Sequence, residues 1–111
     1  MAYDQKLAIR IDGFINTQEI PYLKKTNMFG GVGYMINGNM AFGLIEDKLI
    51  VRVGKEAYQA ALDQPLTSQF DLTGRPMRGW VYVEPSGINK DEGLLGWINQ
   101  GINFAMSLPP K

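Results

Sequence analysis

Between residues 22 and 53 the sequence breaks into short apolar runs separated by pairs of turn-forming residues, and Asn37-Gly38 stands among them. Both central positions of a type I′ turn need positive φ, which Asn and Gly tolerate best. The dipeptide therefore predicts a two-residue hairpin with antiparallel strands on either side. Neighbouring runs at 27–29, 32–36, 39–45 and 48–53 are divided by Gly30-Gly31 and Glu46-Asp47, which extends the hairpin into a meander. In the last run Leu49, Val51 and Val53 alternate with Ile50 and Arg52, so one face should pack on a core while the other carries Arg52.

The segments around this meander have a different period. In 3–16, Leu7, Ile11, Phe14 and Ile15 form one helical stripe with Asp4 near its positive end; Gly13 is a candidate end, and Pro21 forbids continuation much beyond Glu19. Residues 54–62 predict a second helix with Gly54 as N-cap, stopped by Asp63-Gln64-Pro65. The run 79–83, Gly-Trp-Val-Tyr-Val, predicts a further strand closed by Glu84-Pro85-Ser86-Gly87, with a short strand at 70–72 ahead of it. Asn89 and Glu92 have capping-box spacing before a last helix lined by Leu94, Leu95, Ile98, Ile102, Ala105 and Leu108 and ended by Pro109-Pro110. The order α-β(3-4)-α-β(1-2)-α predicts an α+β two-layer sandwich, an antiparallel sheet packed by helices, in one domain over 1–111.

Composition removes function classes. The chain has 111 residues with no Cys and no His. Disulfides, thiolate or imidazole metal sites, Cys nucleophiles and every Ser-His or Cys-His relay are therefore excluded. Eleven Lys and Arg balance eleven Asp and Glu, which argues against a broad phosphate-neutralising surface. The last helix holds only Lys90 among cations, so direct DNA binding is not expected. No apolar run is long enough to span a membrane, and the start has no secretory apolar core; the expected location is the cytoplasm, with no membrane association.

The motifs are sparse. The stretch MFGGVGY at 28–34 feeds a strand rather than a helix N-terminus, so it reads as a tight turn or bulge before it reads as a phosphate loop. Lys24 and Lys25 with Arg52, Arg75 and Arg78 are cations that can converge near the middle of the sheet. The candidate anion or partner site is accordingly Lys25, Gly30, Gly31, Arg52, Arg75 and Arg78, set against the plainer reading of solvated charges that balance Glu46, Asp47, Asp63 and Asp71. Carboxylates and hydroxyls fall in no catalytic or metal-binding pattern, so no catalytic residue, metal or cofactor is assigned. Met28, Met35, Met40 and Met77 read first as adaptable core filler, although an apolar outer sheet face would suit a second copy of the chain.

From residue 24 onward the chain resembles the TfoX/Sxy N-terminal domain family. The matching stretches are KTNMFGGVGY at 25–34, Asn37-Gly38, LIVRVG at 49–54 with Glu56-Ala57-Tyr58, TGRPM at 73–77 with the strand at 79–83, the Trp97 helix, and SLPPK at 107–111. The resemblance implies an α+β sandwich similar to the type III secretion chaperone-like fold. In longer competence regulators of that family the domain precedes a helical one, and the whole protein promotes expression of DNA-uptake genes. Residue 111 ends this sequence, so a domain without that second part is expected. The family brings no accepted catalytic residues.

Two functions from different classes follow. The first is a non-enzymatic protein-interaction or regulatory-accessory module, with an unidentified protein partner and homodimerisation through the sheet. The alternative is a small anionic-ligand-binding domain. A third reading, an RNA methyltransferase-type enzyme, is disfavoured because no glycine loop opens a helix after a first strand.

Overall fold

The chain is described by a computed structural model covering residues 3–18, 20, 23–28, 30–71 and 74–110. The expectations that fall on Glu19, Pro21, Phe29, Leu72, Thr73 and Lys111 lie outside the described residues.

Helix α1 spans Gln5–Gln18. Its start is fixed by the Asp4 carboxylate, which accepts the backbone N–H of Lys6 at 3.0 Å and of Leu7 at 3.2 Å. The helix runs through Gly13 instead of ending there, because Leu7, Ala8, Ile11 and Ile15 bury one continuous stripe. That burial outweighs a glycine penalty of about 1 kcal/mol.

The meander follows as β1 (Leu23–Met28), β2 (Gly31–Ile36), β3 (Asn39–Ile45) and β4 (Lys48–Arg52). Asn37 at φ 53° and Gly38 at φ 83° take the two left-handed positions of the predicted hairpin. Glu46 at φ 55° turns the next one. Helix α2 is shorter than expected, Tyr58–Leu62, and is preceded by a turn at 55–57. Gly54 is not its N-cap. It sits at φ 87°, where its N–H and that of Val53 both donate to the Gly79 carbonyl.

Strand β5 is Thr67–Gln69, three residues earlier than the expected 70–72. The polar sequence Thr-Ser-Gln carries no strand signal. The Thr67 hydroxyl ties it to the chain just past α2 by donating to the Gln64 carbonyl at 2.7 Å. Strand β6, Trp80–Val83, pairs with both β5 and β4. A 3-10 turn at Pro85–Gly87 leads to α3, Asp91–Met106. The Asn89–Glu92 capping box does not form, since Lys90 occupies the N-cap position and makes no side-chain cap. Instead Arg10 crosses from α1, donating to the Ile88 carbonyl at 3.0 Å and to Asp91 at 3.1 Å. A tertiary contact thus holds this helix start.

The six strands form one antiparallel sheet in the order β1-β2-β3-β4-β6-β5. With three helices, this is the expected α+β two-layer architecture. Directly opposed residues share a face, so Lys25, Tyr34, Phe42, Val51, Val81 and Gln69 form one row. Helices α1 and α3 cover this inner face. Tyr34 bonds Asp12 of α1, and α3 comes so close at Gly101 that a Cβ there would overlap the Ala41 carbonyl. The main core joins Leu7, Ile11 and Ile15 to Val32, Leu44, Val51, Leu94 and Ile98.

The outer face is built differently. Its central row runs Thr26, Gly33, Gly43, Ile50, Tyr82 and Ser68. Ile50 and Phe70 are buried but stand outside the main core. Phe70 instead packs edge-on to Tyr82 at 5.0 Å and tilted to Trp80 at 6.2 Å. Met35 and Met40 are half-buried on this outer face and are not core filler. Nor is the face a flat apolar surface, because Lys48 lies over Tyr82 and Arg52 over Trp80.

Candidate cationic cleft at the end of the sheet

Alternation along β4 puts Arg52 on the outer face, as the sequence predicts, and the strand register sets it opposite Trp80. Phe104 reaches toward the same place from α3, its ring packed against Gly54 so closely that a Cβ on Gly54 would overlap it. The Arg52 guanidinium lies over both rings, 5.0 Å from the Trp80 centroid and 5.4 Å from that of Phe104. Burial draws it below the ordinary arginine range, while a guanidinium stays charged in proteins.

Arg52 and Arg78 line one cleft of about 260 Å³ with Lys55, Glu56, Trp80 and Phe104. Its floor is the close approach of Gly54 and Gly79, both at positive φ, 87° and 97°. A Cβ on Gly79 would sit 3.3 Å from the Gly54 carbonyl carbon. Three cations against one carboxylate leave the cleft electropositive.

The other candidate residues are elsewhere. Lys25 lies three strands away on the inner face, where its Nζ pairs with Asp12 at 3.1 Å and sits 5.5 Å from the Tyr34 ring centroid. The expected convergence of all the cations at mid-sheet therefore does not occur: the meander carries Lys25 to an edge strand and Arg52 to the opposite face. Gly30 and Gly31 make the β1–β2 turn. Gly30 supplies φ 77°, and a Cβ on Gly31 would overlap the Leu44 carbonyl, so positive φ accounts for the first glycine and close backbone approach for the second. Arg75 is exposed in the 70–79 connection and does not line the cleft. The acidic residues named as charge balance form no ion pair among the described residues; the pairs present are Arg10–Asp91 and Lys25–Asp12.

Sequence reasoning missed Lys55, Trp80 and Phe104 as neighbours of Arg52. The Arg52–Trp80 pairing follows from strand alternation once β6 is placed beside β4. No local signal brings Phe104 from α3 to Gly54. Among the described residues, no group of three or more Asp and Glu is arranged to hold a metal ion, and no helix is long and apolar enough to cross a membrane.

The stretches that form β1 to β4, the loop before β6 and α3 are those in which the sequence resembles a known family. The sequence model of the TfoX N-terminal domain matches residues 16–105, from the last turn of α1 to the last turn of α3. The chain belongs to the TfoX N-terminal domain family. Every residue of the cleft lies inside the matched TfoX N-terminal region. Neither a curated protein nor a solved structure matches the chain.

Proposed function

We propose that this TfoX N-terminal domain acts by binding and not by catalysis, as a protein-interaction or regulatory-accessory module. The observation that carries this reading is the open side of β1. The strand ends the sheet, pairs with β2 and no other described strand, and exposes residues 24–27. An edge of this kind accepts an extended segment of a partner through main-chain hydrogen bonds. The opposite edge, β5, is only three residues long.

Lys24 favours an acidic partner, while Lys25 beside it is paired with Asp12. Two copies of β1 side by side would gather four lysines on one strand pair, a charge arrangement that natural edges use against self-pairing. A segment bearing Asp or Glu next to those positions is favoured. The absence of Cys and His from the sequence supports binding over chemistry, as does the lack of a catalytic pattern among the carboxylates and hydroxyls.

A photo-crosslinking side chain at Thr26, with one at Ser68 on β5 as control, tests the edge. The expected result is a crosslinked partner protein from position 26 and none from 68. Its reconstituted binding should weaken about tenfold in Lys24→Glu. Crosslinking only to a second copy of the domain, or equally from both positions, would refute the reading.

A further inference from the structure

We propose that the cleft between β4, β6 and α3 binds a phosphate group, with Arg52 as its anchor and Arg78 and Lys55 as outer donors. This is independent of the β1 edge, which lies across the sheet. Arg52 is unlike a solvated surface arginine in two respects. Its guanidinium lies over both the Trp80 and the Phe104 rings, contacts that reduce the side-chain freedom to be lost on binding. The N–H donors of Arg52 have no hydrogen-bond or ion-pair acceptor among the described residues.

The class of ligand follows from charge and size. Three cations and one carboxylate, Glu56, surround about 260 Å³. A doubly charged tetrahedral oxyanion can accept from all three cations at once, whereas a carboxylate offers two oxygens in one plane. Trp80 and Phe104 already have Arg52 against them, so the rings do not offer a free stacking platform for a nucleobase. The Gly54–Gly79 floor is closed by its own hydrogen bonds, Val53 N–H at 2.8 Å and Gly54 N–H at 3.1 Å from the Gly79 oxygen. This leaves the recognition to side chains. The phosphate can belong to a small molecule or to a phosphorylated side chain, and the chemistry is the same.

Titration of the labelled domain by heteronuclear NMR tests this, following the Arg52 Nε–H and the Gly54 and Gly79 amides. The probes are inorganic phosphate and phosphoserine, with acetate and serine as controls. Saturable shifts at these groups are expected with both phosphates and not with the controls. Tighter binding of phosphoserine would assign a protein-borne source, and equal or weaker binding a free one. Arg52→Lys keeps the charge but loses the planar fork of N–H donors, and should weaken binding about tenfold. Glu56→Gln should strengthen it, and Arg75→Gln should leave it unchanged. Shifts that do not saturate, that acetate reproduces, or that survive Arg52→Lys in a folded variant would overturn the proposal.

Discussion

The Tyr34 hydroxyl donates a 3.1 Å hydrogen bond to Asp12, joining the buried middle of β2 to α1. The other oxygen of the same carboxylate accepts from Lys25. Burial, and then the Asp12 charge and hydrogen bond, hold the Tyr34 proton well above the usual tyrosine range. In the unfolded chain a tyrosine ionises near pH 10. A raised folded value means that this contribution is complete below about pH 10 and is lost as pH rises beyond it, because only the unfolded chain releases the proton easily. Tyr34→Phe should therefore cost about 1 kcal/mol at neutral pH and flatten the alkaline loss of stability. Urea unfolding of both proteins at about pH 8 and about pH 11 measures the difference; parallel losses would refute the assignment.

Two helical glycines should respond in opposite directions. Nothing lies within 4 Å of a Cβ built on Gly13, and the residue is exposed. Gly13→Ala should stabilise by about 0.5 to 1 kcal/mol. At Gly101 a Cβ would collide with the Ala41 carbonyl and stand 3.4 Å from a Val51 methyl. Gly101→Ala should push α3 off the sheet and cost about 2 to 3 kcal/mol. Thermal unfolding of the pair decides it, and the same sign at both sites would contradict the packing described.

Asn39 is a buried polar residue, 2% exposed, and its amide donates to the Pro109 carbonyl at 3.0 Å. This bond fastens the segment after α3 to the first residue of β3. Asn39→Ala should cost about 1 to 2 kcal/mol. It should also make the chain beyond Met106 more susceptible to limited proteolysis, which mass spectrometry of the fragments detects.

Phe70 is 4% exposed yet belongs to the outer aromatic group and not to the main core. Phe70→Ala should cost about 3 kcal/mol, as a core truncation does, even though it touches the face opposite the helices. Near-ultraviolet circular dichroism should register the altered setting of Tyr82 and Trp80. A cost below about 1 kcal/mol would mean that the outer layer adds little stability.

Local chemistry in the sequence was enough for the architecture. Asn37-Gly38 specifies its hairpin by backbone sterics alone, and the alternation in β4 correctly put Arg52 on the face away from the core. The 3.6-residue stripes placed α1 and α3, since amphipathic burial follows from spacing. Signals depending on one residue fared worse. Gly13 did not end its helix, Gly54 capped nothing, and the Asn89–Glu92 box did not form at a helix start held by Arg10. In each case a long-range contact or buried stripe outweighed a local preference of about 1 kcal/mol.

The candidate site divided along the same line. The list of cations came from the sequence, but their grouping did not. Charge type is a property of a residue, while convergence is a property of strand order. The order β1-β2-β3-β4-β6-β5 sends Lys25 to an edge beside Asp12 and brings β6 against β4. Arg52 thereby meets Trp80, and α3 supplies Phe104 from fifty-two residues further along. The sequence by itself determined an α+β sandwich with Arg52 on its outer face. Only the tertiary structure decided that Arg52 shares a cleft with Lys55 and Arg78 and that Lys25 does not, because separation in space is set by sheet topology and not by distance along the chain.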